Sequence, residues 1–82
     1  MNEEILFNTL KEILKNDVQL QIEIRKDTAL LSEQLIDSLD FMNYVTVIEE
    51  KFSISISDND ISANKLGIIQ NMIDFIISKT SK

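Results

Sequence analysis

Few residues in this chain could do chemistry. It contains no histidine and no cysteine, which removes the usual base for a serine nucleophile, the thiolate nucleophile and the softer metal ligands. What remains is Ser38, in the run "LIDSLD" from Leu35 to Asp40, directly after an aspartate and ahead of a long apolar-periodic stretch. Aspartate at such a place accepts hydrogen bonds from the first free amides of a helix, and serine is tolerated at the next position. The pair therefore reads either as a plain cap or as an attachment point for something the chain lacks. A lysine base would be the other route to nucleophilic catalysis, but no lysine lies near Ser38 in the sequence. A self-contained serine enzyme is nearly excluded, and no metal site is expected.

The elements that must position Ser38 are helical. Asn2, followed by two glutamates and then by Ile5, Leu6, Leu10, Ile13 and Leu14, predicts a first helix to about Asn16, with an N-cap and acids in its first turn. A second helix is predicted from Asp37 or Ser38 to about Phe52. The last, from about Gly67 to Lys79, carries Ile69, Met72, Ile73, Ile76 and Ile77 on one face. "SDNDIS", Ser57 to Ser62, has turn chemistry and one apolar anchor, Ile61, which suits at most a turn or two of helix. "VQLQIEIR" and "FSISIS" alternate strictly and, taken literally, predict two short strands. Two short strands make a marginal sheet, however, and an extended connection can use the same alternation to drop side chains into a helical core. Both readings stay open at this point.

At 100° per residue the second helix has two apolar faces. Phe41, Tyr44, Val45, Ile48 and Phe52 form the wide stripe that faces a core, whereas Leu39 and Met42 fall on the other side with Ser38, Thr46 and Glu49. Apolar residues turned outward beside a serine, with acids around them, suit a contact surface. A short helix buried on more than one side of a small bundle gives the same pattern.

Composition fits this frame. The 82 residues have a hydrophobic share of 44%, a charged share of 27%, one glycine and no proline, as expected of a single mostly helical domain, residues 1–82, with one modest core. The absence of cysteine excludes a disulfide framework, and the first residues lack the layout of a secretory signal, so a cytoplasmic location is expected. "LGIIQNMIDFII" is too short and too interrupted to span a membrane. Net charge is -6, and between Asp27 and Asn64 eight acids (Asp27, Glu33, Asp37, Asp40, Glu49, Glu50, Asp58 and Asp60) meet one base, Lys51. Such a surface repels nucleic acid and attracts basic protein partners, unless it serves only as a solvated face.

The order of these features resembles the acyl carrier and peptidyl carrier protein family. "LIDSLDFMNYVTVIEEKFSISISDNDI" has Asp-Ser-Leu at a helix start, an amphipathic stretch, Glu-Glu-x-Phe near its end, an Ile-x-Ile segment and Asp-x-Asp-Ile opening a short third helix. The resemblance extends through "DTALLSEQLIDS" before it and "NMIDFI" after it, and so covers most of the chain from Asp27 onward. It implies an all-α four-helix bundle of the acyl-carrier type, with a long extended connection between helices one and two and a short third helix. It also implies that Ser38 carries 4'-phosphopantetheine from coenzyme A, and that Asp37 caps the helix and helps present the serine. Leu39, Asp40, Met42 and Glu49 would form the partner surface. The implied protein is a free-standing, monomeric carrier of acyl or aminoacyl groups, held as thioesters, in fatty-acid or secondary-metabolite synthesis, the D-alanyl type being a near variant. Its partners would be a phosphopantetheinyl transferase and loading or processing enzymes with basic docking surfaces, and catalysis would belong to them. Ile36, Asn43 and Thr46 depart from the common fatty-acid pattern, which points to a dedicated pathway, and "ANKLGII" lacks the hydroxyl that often caps helix four. From a different class, the rival is a small unmodified helical adaptor that binds a basic partner through the acidic face.

Overall fold

A computed structural model describes residues 2–80. It contains α1 (Glu3–Asn16), α2 (Ser38–Phe52), α3 (Asp58–Asn64) and α4 (Ile69–Thr80), with no strand among the described residues. The chain is thus all-α, with the long connection and short third helix of the acyl-carrier type. Asn2 caps α1 by accepting from the Glu4 N–H at 2.7 Å. At the third helix Ser57 and Asp60 exchange side-chain and backbone hydrogen bonds in a capping box, which lets a seven-residue helix hold its start without a buried face.

The core is a single apolar cluster. Leu6, Leu10, Ile13 and Leu14 of α1 meet Phe41, Tyr44, Val45 and Ile48 of α2 and Ile69, Met72, Ile73, Phe75 and Ile76 of α4, and Ile24, Leu30, Ile56 and Leu66 enter from the connections. The helical spacing expected from the sequence is what brings these residues together. At the margins the pattern overreached. Ile5 is exposed, while Phe52 and Ile77 are half-buried at the edge of the cluster rather than inside it. Phe52 is the last residue of α2, ahead of Ser53, whose left-handed backbone (φ 55°) turns the chain away, and its ring is only partly covered.

The alternating segments are extended connections and not strands. In "VQLQIEIR" the apolar residues do not all point inward: Ile24 is buried, Val18 and Leu20 are half-buried, and Ile22 is exposed. Ile56 is buried and Ile54 half-buried in the second segment. The sole ladder-like contact among the described residues is an isolated bridge between Ala29 and Ile68. It belongs to a junction that answers the missing cap of α4. The helix begins at Ile69, two residues later than expected, and its first amides are taken by backbone carbonyls of the long connection. Ile69 N–H donates to Thr28 at 3.0 Å and Gln70 N–H to Lys26 at 2.8 Å, while Leu30 N–H donates to Gly67 at 2.8 Å. Orphan donors at a helix start need some acceptor, and here a distant stretch of main chain supplies it. Lys26 is itself anchored, its ammonium 2.7 Å from Glu4 and set over the Phe7 ring, and the Glu4 carboxylate bonded to it raises its pKa above the usual lysine value.

Candidate functional site

Ser38 is the first residue of α2. The Asp37 side chain caps the helix by accepting the Asp40 N–H at 2.8 Å, and the Asp37 carbonyl accepts the Phe41 N–H at 3.0 Å. Aspartate is among the best N-caps because its oxygen reaches the free amides of the first turn without adopting a helical backbone itself. Ser38 is exposed, and among the described residues its hydroxyl has no hydrogen-bond partner. The cap is therefore Asp37 alone, and the serine contributes nothing to it that the structure shows. Two further contacts fix the position of this turn. Leu35 and Ile36 pack against the core just before it, and Asn43 donates its side-chain N–H to the Asp17 carbonyl at 2.9 Å, tying α2 to the end of α1. Asn43 thus has a structural task that its place on the helix surface did not reveal.

The second face of α2 is open. Leu39 is 79% and Met42 43% exposed, with Asp40 half-exposed beside them and Thr46 folded back onto the Met42 carbonyl at 2.9 Å. Glu49 lies on the same side three residues further round, but it is half-buried, and its Oε2 accepts the Ile56 N–H at 2.8 Å. This carboxylate clamps the connection between α2 and α3. Two other acids of the negative middle are similarly employed: Glu33 accepts the Ala29 N–H and Asp60 the Ser57 N–H. The hydrogen bond from the Ser57 backbone holds the Asp60 carboxyl below its usual pKa. Grooves of ≈ 560 and ≈ 570 Å³ run along the long connection, and Ser38 lines neither of them.

One polar group in the core had no signal in the sequence pattern. Tyr44 was counted there as an apolar member of the stripe, yet its hydroxyl is fully buried and has no hydrogen-bond partner among the described residues. Its ring lies 5.8 Å from that of Phe41.

A phosphate ester on Ser38 Oγ suits this geometry. The hydroxyl is accessible and uncommitted, and negative charge at the start of a 15-residue helix faces the positive end of its dipole. Comparison with known proteins identifies the family. A family model described as "Phosphopantetheine attachment site" matches residues 6–76. The acyl carrier protein of Buchnera aphidicola subsp. Schizaphis graminum (strain Sg) is 36% identical over 74 residues, 89% of this chain and 91% of that protein. Those of Buchnera aphidicola subsp. Acyrthosiphon pisum, strains 5A and Tuc7, are 34% identical over 74 residues, 89% of this chain and 90% of theirs. No solved structure gives a significant match. With the family model covering α1 to α4 and the relatives aligned along nearly their whole length, the chain belongs to the acyl carrier family of phosphopantetheine-binding proteins, non-catalytic carriers with a covalently attached 4'-phosphopantetheine.

Proposed function

We propose that Ser38 is the attachment residue and that the protein, a single carrier domain acting in the cytoplasm, holds acyl or aminoacyl groups as thioesters and delivers them to partner enzymes. The observation that carries this reading is the exposed, uncommitted Ser38 hydroxyl at the capped start of α2, within the family match. The arm supplies the thiol that a chain without cysteine cannot. Ser38 Oγ must lose its proton when it is esterified, and the chain offers no histidine to take it, while the Asp37 carboxylate is engaged by Asp40 N–H. The base therefore belongs to the transferase. Asp37 acts by fixing where the helix begins, which sets the direction of the Ser38 side chain.

Leu39 and Met42 form the apolar centre of the partner surface, and Asp40 and Glu49 add the negative charge that meets lysines or arginines on the transferase and on loading enzymes. Because Glu49 also holds Ile56, the charge of this face is best probed at Asp40. The test of the attachment residue is direct. Incubation with coenzyme A, magnesium and a broad-specificity phosphopantetheinyl transferase is expected to add the mass of one arm to the intact protein, and Ser38→Ala to abolish the addition. No addition to a folded sample by either of two unrelated transferases overturns the proposal.

A further inference from the structure

Tyr44 is the buried side chain whose polar atom is left without a partner among the described residues. It is 0% exposed and belongs to the stripe of α2 that includes Phe41, Val45 and Ile48. A phenylalanine would fill the same space without stranding a hydroxyl, and most buried side-chain polar atoms in proteins do have partners. The other buried polar residue described, Thr28, already accepts the Arg25 N–H through its own hydroxyl. Burial also drives the phenol pKa far upward, so Tyr44 keeps its proton and stays a donor.

The position of this donor relative to Ser38 gives it a purpose. Along an α-helix Tyr44 lies six residues, about 9 Å, beyond Ser38, and Phe41, one turn on, is about 60° round from the serine. Ser38 therefore stands at one edge of the apolar stripe and Tyr44, about 120° round from it, on the far margin, with the Phe41 ring between them, 5.8 Å from that of Tyr44. An acyl chain on the arm that leaves water by passing Phe41 into the core meets apolar side chains and, among the described residues, one buried side-chain donor without a partner.

We propose that the Tyr44 hydroxyl is a cargo-selecting group, donating a hydrogen bond to an oxygen on the carried acyl chain and so favouring oxo- or hydroxyacyl cargo over a saturated chain inside the bundle. This rests on Ser38 bearing the arm.

The test uses the full chain loaded, through coenzyme A analogues and a phosphopantetheinyl transferase, with amide-linked octanoyl, 3-oxooctanoyl and 5-oxooctanoyl groups. Intact mass is read first: if no arm is added, the attachment at Ser38 has failed, and this proposal with it. On loaded protein, at least one oxo cargo is expected to raise the melting midpoint above that of the octanoyl form by about 4–8 °C, the effect of one hydrogen bond in a domain this size. The Tyr44→Phe variant is expected to melt higher than the parent when unloaded and to lose the difference between cargoes. Equal midpoints for all three cargoes in the parent overturn the proposal, and that comparison needs no variant. So does a cargo difference that persists in Tyr44→Phe, or an unloaded Tyr44→Phe less stable than the parent, which would mean that the hydroxyl already has a partner.

Discussion

Helix α2 has to serve the core with one face and partners with the other, and three truncations along it test that division. Ile48 is 0% exposed among core side chains of α1 and α4. Ile48→Ala removes a branched side chain from a packed site and leaves a cavity, which costs about 2–5 kcal/mol. For 82 residues the whole stability is about 4–12 kcal/mol, so this one change removes a large part of it and lowers the melting midpoint by about 8–40 °C, at about 4–8 °C per kcal/mol. Leu39, 79% exposed, keeps only about a fifth of the about 1.5–3 kcal/mol that full burial brings. Alanine's better helix propensity offsets part of the loss. Leu39→Ala is therefore expected to change stability by less than about 0.5 kcal/mol while slowing phosphopantetheinyl transfer at every ionic strength, because it removes apolar contact rather than charge. Phe52→Ala, at a half-buried site, falls between them at about 1.5–2.5 kcal/mol, half the cost of a fully buried ring. Urea and thermal unfolding followed by far-UV circular dichroism read the stabilities, and a mass-based time course reads the transfer. If Leu39→Ala destabilises as much as Ile48→Ala, or leaves transfer unchanged, the assignment of the two faces is refuted.

Further expectations follow from the turns around the site. Asp37→Ala should lose about 1 kcal/mol of capping in a thermal melt, whereas Asp37→Asn, an equally good cap, should melt like the parent and still accept the arm if the residue acts by placing the helix start. Gln34 has a left-handed backbone, φ 57°. Gln34→Gly should raise stability by about 0.5–1 kcal/mol in urea, the left-handed penalty of about 1–2 kcal/mol less the about 0.5–1 kcal/mol of chain entropy that glycine adds to the unfolded state. Asp60 has its carboxyl pKa lowered from 3.8 by the bond from Ser57. The capping box should therefore be intact above that value and lost as pH falls through the lower folded one, as a carbon-detected titration of the Asp60 carboxyl would show. A folded pKa at or above 3.8 contradicts it.

Much of this molecule was legible in its sequence because the signals are local. Asn2 and Asp37 precede their helices as caps, and the cap bond closes within three residues, so no distant partner is needed to recognise it. The spacing of Phe41, Tyr44, Val45 and Ile48 against Leu39 and Met42 divides α2 into a buried and an open face because helix geometry alone fixes which residues share a side. The lack of histidine and cysteine restricted the chemistry to a tethered group. What the tertiary structure decided depends on residues far apart in the chain. Whether "VQLQIEIR" is strand or connection turns on whether a partner strand exists, and its inward residues instead join the helical core cluster while Ile22 stays in solvent. The start of α4 is set by carbonyls of Lys26 and Thr28, more than forty residues upstream, so no motif near Gly67 could place it. Glu49 looked like free surface charge until the fold brought Ile56 N–H to it. Tyr44 reads as one more apolar position in the stripe, and only packing from several sides leaves its hydroxyl stranded, because a helix wheel states which way a side chain points and not what it finds there.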